Sequence, residues 1–129
     1  MARNIILDLL AKTTNTNLDS SNGDFVQLDK TQTVSISRMA PAFDFDQGSG
    51  AAAQSIFPAP APTNRQHFIM SVIYDSAEPD VSRYVTVIID GTENIDVGHI
   101  GAFSASSSCT VQTQTANSVN IVVISWEES

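Results

Sequence analysis

Positive charge is scarce in this 129-residue chain: six Lys and Arg stand against 14 Asp and Glu, for a formal net charge of -8. Binding to a phosphate backbone draws on Lys and Arg that displace counterions. The basic residues here are scattered singly and form no stripe, so nucleic acid is not an expected partner. Cysteine is almost missing as well. Cys109 has no internal partner for a disulfide, so burial and hydrogen bonding must hold the fold unaided. It stands in Ser108-Cys109-Thr110-Val111 and reads as a small buried hydrophobe. No run of about 18 apolar residues occurs, which excludes a spanning helix and leaves no membrane partner to expect. The opening stretch MARNIILD is interrupted by Asp8 without a cleavage-site pattern after it, so no signal peptide is expected. Nor is there an Asn-x-Ser/Thr sequon to suggest a glycosylated secreted protein.

Charged residues make up 16% of the chain, against about 25% in an ordinary globular domain. Ser, Thr, Asn and Gln fill the deficit, giving a polar but weakly charged surface. Hydrophobic residues reach 42%, and a chain of this length buries roughly two-thirds of its unfolded surface, enough for one core.

The second half carries the densest signals. Residues 67–74 (HFIMSVIY), 83–89 (RYVTVII), 95–103, 108–115 and 119–126 (VNIVVISW) are strand-length runs rich in β-branched and aromatic side chains. Asp90-Gly91 after Val87-Ile88-Ile89 suits a tight hairpin, whose central residues both need positive φ. Before them, Phe25-Val26-Gln27-Leu28, then Val34 and Ile36, then Phe43 and Phe45 alternate with polar residues, as half-buried strands do. These runs imply an all-β fold, an antiparallel β-sandwich of jelly-roll-like type, spanning residues 25–129.

Two segments depart from this pattern. In residues 1–24, Ile5, Ile6, Leu9 and Leu10 fall on one side of a short amphipathic helix; the alternative is an extended arm. Either must dock on something, because so short a segment is not stable alone. Residues 47–63 form a Gly/Ala and then Pro/Ala bridge in which Pro58, Pro60 and Pro62 fix φ at alternate positions and favour an extended course.

Candidate chemistry is thin. The histidines, His67 and His99, share no ligand spacing with each other or with Cys109. Asp44 and Asp46 project to one side of a strand and read as a wet face rather than paired catalytic acids. Asp75, Glu78 and Asp80 share a loop without the spacing of an EF-hand. Ser104–Ser108 lacks a nucleophile elbow, and no glycine loop carries the lysine of a phosphate site. The expectation is a protein that is not an enzyme and uses no metal or cofactor.

HFIMSVIY and VNIVVISW are apolar on both faces, although the outer face of an antiparallel strand normally meets water. Ile69, Ile73, Val122 and Ile124 therefore need cover, and self-association into a homo-oligomer is the expected source.

The segment that needs a docking surface, the Gly/Ala then Pro/Ala bridge, and the Ser/Thr/Gln-rich β domain ending at Trp126-Glu127-Glu128-Ser129 together resemble the capsid decoration, or cement, proteins of tailed bacteriophages. The resemblance lies in architecture and composition over the whole chain. It implies a structural virion protein, most often a trimer, on the capsid exterior, with the major capsid protein as partner. It assigns Ile5, Ile6, Leu9, Leu10, Pro58, Pro60 and Pro62 to partner docking, and Ile69, Ile73, Val122 and Ile124 to contact between copies. The alternative is a carbohydrate- or receptor-binding sandwich of a fibre or tail, with Trp126, Tyr84 and the loop acids as its site.

Overall fold

The computed structural model describes residues 3–12, 27–48, 50–74, 83–113 and 118–129, with backbone alone for 9–12 and 27–30. Every regular element among them is a strand: β1 (Arg3–Lys12), β2 (Gln27–Met39), β3 (Phe43–Gln47), β4 (Gln54–Ser55), β5 (Gln66–Tyr74), β6 (Val85–Ile89), β7 (Glu93–Val97), β8 (Ile100–Ala105), β9 (Cys109–Thr113) and β10 (Val119–Glu128). The chain divides into two compact units, Met1–Ile36 and Ser37–Ser129.

The first unit is built on an antiparallel pair, with β1 running along β2 from Arg3 opposite Ile36 to Lys12 opposite Gln27. The helix expected for Ile5, Ile6, Leu9 and Leu10 does not form, and the extended alternative does. Apolar residues spaced three and four apart suit either state. Here β2 supplies the backbone partners, and in a strand successive residues take opposite faces. Ile5 and Leu7 are half-buried on one face, whereas Ile6, 67% exposed, shares the other with Asp8. The Thr31 hydroxyl donates to Asp8 Oδ1 at 2.6 Å across that face. The division between the units falls after Ile36, within β2, most of which pairs with β1.

The second unit is a sandwich of two antiparallel sheets. In the first, β10 is central. It pairs with β5 from Val119 to Glu127 and, on its other side, with β3 from Val119 to Val123, while β5 pairs with β8. The second sheet has the order β4-β9-β6-β7. From β4 onward the chain passes repeatedly between the sheets, which is jelly-roll connectivity. Period-two sequences make this possible: β5, β6, β9 and β10 turn Phe68, Met70, Val72, Val85, Val87, Ile89, Val111, Ile121 and Val123 inward, all at most 5% exposed. Phe68 and Phe103 stack at 5.4 Å within this core.

The turns follow local chemistry. Asp90 (φ 52°) and Gly91 (φ 73°) are the central residues of the β6–β7 turn, closed by Thr92 N–H donating to the Ile89 carbonyl at 3.1 Å. Residues 95–103, expected as one run, are two strands in different sheets, since β7 ends at Val97 and β8 begins at Ile100. Gly101 is needed beside that crossing, because a Cβ there would lie 2.8 Å from Val97 Cγ2.

Candidate interaction surface

The outer faces of the two sheets differ in chemistry. On the β9-β6-β7 sheet, register places Thr86 between Asp96 and Gln112, and Ile88 between Asn94 and Thr110. Thr86 donates to Asp96 Oδ1 at 3.1 Å. That face is polar, as an antiparallel sheet facing water should be.

The outer face of the first sheet is apolar through its middle. Ile69 lies opposite both Ile124 on β10 and Ala102 on β8, while Ser71 lies between Val122 and Ile100. Ile69, Val122 and Ile124 are half-buried, whereas Ile73 is 56% and Ile100 74% exposed. Apolar groups gathered on one sheet face, here around Ser71, with polar groups at the rim, make it a candidate contact surface.

The rim is ordered. On one side Asn120 Nδ2 donates to Asp44 Oδ1 at 2.8 Å and Asp46 Oδ1 at 3.0 Å, so the two carboxylates are bridged by an amide. At the other end His67 Nε2 is 2.8 Å from Glu128 Oε1, and the imidazole stacks on Trp126 at 5.7 Å. Trp126 is only 6% exposed, and Tyr84 is half-buried. A hollow of about 330 Å³ beside Asp46, Ile73, Tyr74 and Asn120 opens at the acidic rim. The Tyr74 hydroxyl has no hydrogen-bond partner among the described residues, and burial raises its pKa, with Arg83 opposing.

Two carboxylates fix the framework behind this surface. Glu127 Oε1 accepts from the backbone N–H groups of Thr63 (2.7 Å) and Asn64 (2.8 Å) and from the Thr63 hydroxyl, while Oε2 meets Arg38 Nε at 3.1 Å. The Asn64 N–H leads in holding this carboxyl below the ordinary glutamate range, against the opposing effect of burial; Thr63 and Arg38 add to it. Asp90 accepts from the N–H groups of Ser107, Ser108 and Ser106, which lower its pKa to about 2. It thereby ties the β6–β7 turn to the β8–β9 turn.

No known protein family and no curated protein matches the chain. Among solved structures, a chain from one of Bacillus endospore appendages, described as a family of disulfide-linked pili, aligns over 72% of this chain and 93% of its own. The identity is 15% and the TM-score 0.42.

The structure brings some sequence candidates together and separates others. Ile69, Ile73, Val122 and Ile124 share the apolar outer face. As a strand, β1 cannot gather Ile5, Ile6, Leu9 and Leu10 on one side; for Leu9 and Leu10 only the backbone pairing with Lys30 and Asp29 is described. Pro58, Pro60 and Pro62 lie in the crossing from β4 to β5, a segment pinned at both ends. Before it, Ile56 is buried and donates its N–H to the Cys109 carbonyl at 2.9 Å; within it the Pro60 carbonyl accepts from Arg38 Nη2 at 2.9 Å; after it Glu127 holds residues 63 and 64. Pro58 lines an apolar hollow of about 300 Å³ with Phe43, Ile56, Phe57 and Val123. Asp75, Glu78 and Asp80 lie outside the described residues. Among the described residues no three His, Cys, Asp or Glu side chains converge as a metal site, and no helix is long and apolar enough to cross a membrane.

Sequence reasoning missed Glu127, Asp90 and Gln47 as framework residues. Apart from Ala52, which accepts from Gln47, their partners lie 16 or more positions away, and only the Asp-Gly turn offered a local signal.

Proposed function

We propose that this chain is a structural protein without catalytic function, which acts through contact with other protein subunits as a decoration protein on the exterior of a phage capsid. The observation that carries the reading is the contrast between the two outer sheet faces, one wet and polar, the other centred on Ile69, Ile73, Ile100, Val122 and Ile124. Burying that face against copies of the chain and the shell would stabilise the assembled form, since a ligand that binds one state better than another shifts the equilibrium by mass action. The net charge of -8 directs the chain toward neutral or basic protein surfaces. The capsid setting rests on the likeness in composition and architecture to decoration proteins. Ile6, exposed on the first unit, is a further apolar group for the shell contact.

The test is cosedimentation of the full chain with purified expanded and unexpanded shells of tailed phages, alongside the Ile73→Asp/Ile100→Asp variant. Both substitutions are at exposed positions, so the fold should survive. Binding that favours expanded shells and weakens at least about tenfold in the variant supports the reading; equal binding by variant and wild type overturns the assignment of this face.

A further inference from the structure

The edges of the two sheets are not equally protected. A sheet edge offers unpaired N–H and C=O groups to any other strand, and proteins usually blunt it with charge, proline, a bulge or brevity. At one edge of the first sheet β3 carries Asp44 and Asp46. In the second sheet β7 carries Glu93 and Asp96, and β4 has only two residues. The strand β8, IGAFSA, is the exception among the described edges: six residues without charge or proline, in unbroken register with β5 from Ser71–Ile100 to Gln66–Ala105.

The direction of its free groups follows from the ladder. The His99 carbonyl accepts from Val72 N–H at 2.7 Å, in line with the β5–β8 register. In an antiparallel ladder residues alternate between turning both backbone groups toward a partner and turning both away. Gly101, Phe103 and Ala105 therefore address β5, whereas Ile100, Ala102 and Ser104 address the open side.

We propose that β8 pairs antiparallel with β8 of a second copy of this chain, about a two-fold axis at Ala102, joining the two first sheets into one. In that register Ala102 faces Ala102 of the partner copy, and Ile100 faces its Ser104, so the residues whose backbone groups point outward meet one another and exchange hydrogen bonds. The occupant is a second copy because a two-fold pairing of uncharged strands brings no like charges together, whereas the β3 and β7 edges would oppose carboxylates to carboxylates. The pairing also covers part of Ile100, the most exposed of the large apolar residues at 74%. An isologous contact closes at two copies, in place of the trimer that the decoration-protein likeness suggests. The inference rests on the assembly reading only in that copies of the chain meet; it needs no shell.

The test is sedimentation equilibrium of the full chain at increasing concentration, with Ala102→Pro and Ala102→Ser. Proline removes an outward N–H and leaves the β5 ladder intact, while serine keeps it. The wild type and Ala102→Ser should dimerise, and Ala102→Pro should do so at least about tenfold more weakly. Should Ala102→Pro fail to fold, amide exchange in the wild type replaces it: protection at Ile100, Ala102 and Ser104 must rise with concentration. Dimerisation unchanged by proline, assembly beyond a dimer, or exchange at these amides independent of concentration overturns the β8 pairing. In each of those cases loss of shell binding in Ile73→Asp/Ile100→Asp would still uphold the outer face as a contact surface.

Discussion

Replacing Gln47 should unfasten the two sheets from each other. Gln47 ends β3 in the first sheet, is 3% exposed, and reaches across to β9 in the second. Its Oε1 accepts from the buried Thr113 N–H at 2.8 Å, and its Nε2 donates to the carbonyls of Ala52 at 2.9 Å and Val111 at 3.3 Å. A net hydrogen bond contributes about 1 kcal/mol, and a buried group left without a partner costs about 1–3 kcal/mol. Gln47→Met keeps the volume but removes all three bonds, so its expected loss is about 2–4 kcal/mol. Gln47→Glu should lose at least as much, since a carboxylate would face two carbonyl oxygens. For a domain near 100 residues each kcal/mol moves Tm by about 4–8 °C, so the Met variant should melt roughly 10 °C or more below wild type. Urea unfolding followed by tryptophan fluorescence gives the free energy directly. A Met variant within about 0.5 kcal/mol of wild type, the usual range of a neutral surface change, would refute the claim that Gln47 joins the sheets.

Further expectations concern acid and thiol chemistry. Asp90 has a folded pKa of about 2 against an ordinary 3.8; a depressed carboxylate stabilises the fold above its unfolded value, and that contribution is lost as pH falls from 3.8 through about 2. Glu127 acts in the same direction below the ordinary glutamate value of 4.5. Acid unfolding monitored by circular dichroism should therefore be shallower in Asp90→Asn than in wild type, and identical curves would contradict the amide cradle. The Cys109 thiol is fully buried, and desolvation, with the Asp90 charge adding, pushes its pKa up to about 12. It should resist thiol reagents in the native state and react only on unfolding; rapid labelling without denaturant would contradict that.

Much of the sandwich was legible because period-two runs such as HFIMSVIY carry their own burial code, and the Asp90-Gly91 turn specified its backbone locally. The same code exposed Ile69, Ile73, Val122 and Ile124 as residues with no interior to enter. Legibility failed where long-range pairing decides the outcome. Residues 29–33 carry no alternating apolar pattern, yet they form strand because β1 lies alongside, and Ile5 to Leu10 suit a helix until β2 supplies partners. The Ile56-Phe57 pair before the prolines reads as part of a bridge, but it is an anchor on the core. Glu127 resembles a solvated tail residue; its decisive partner, the Asn64 N–H, is 63 positions away.

Mass in solution tests the central claim, that this chain functions by burying its outer sheet face against other protein subunits, more directly than any other measurement. Sedimentation equilibrium of the intact chain at neutral pH, up to tens of micromolar, should give a mass above the 13.8 kDa of a single copy, falling toward it in Ile73→Asp/Ile100→Asp. A single-copy mass at every concentration, unaltered by those substitutions and by added shells, would contradict the account.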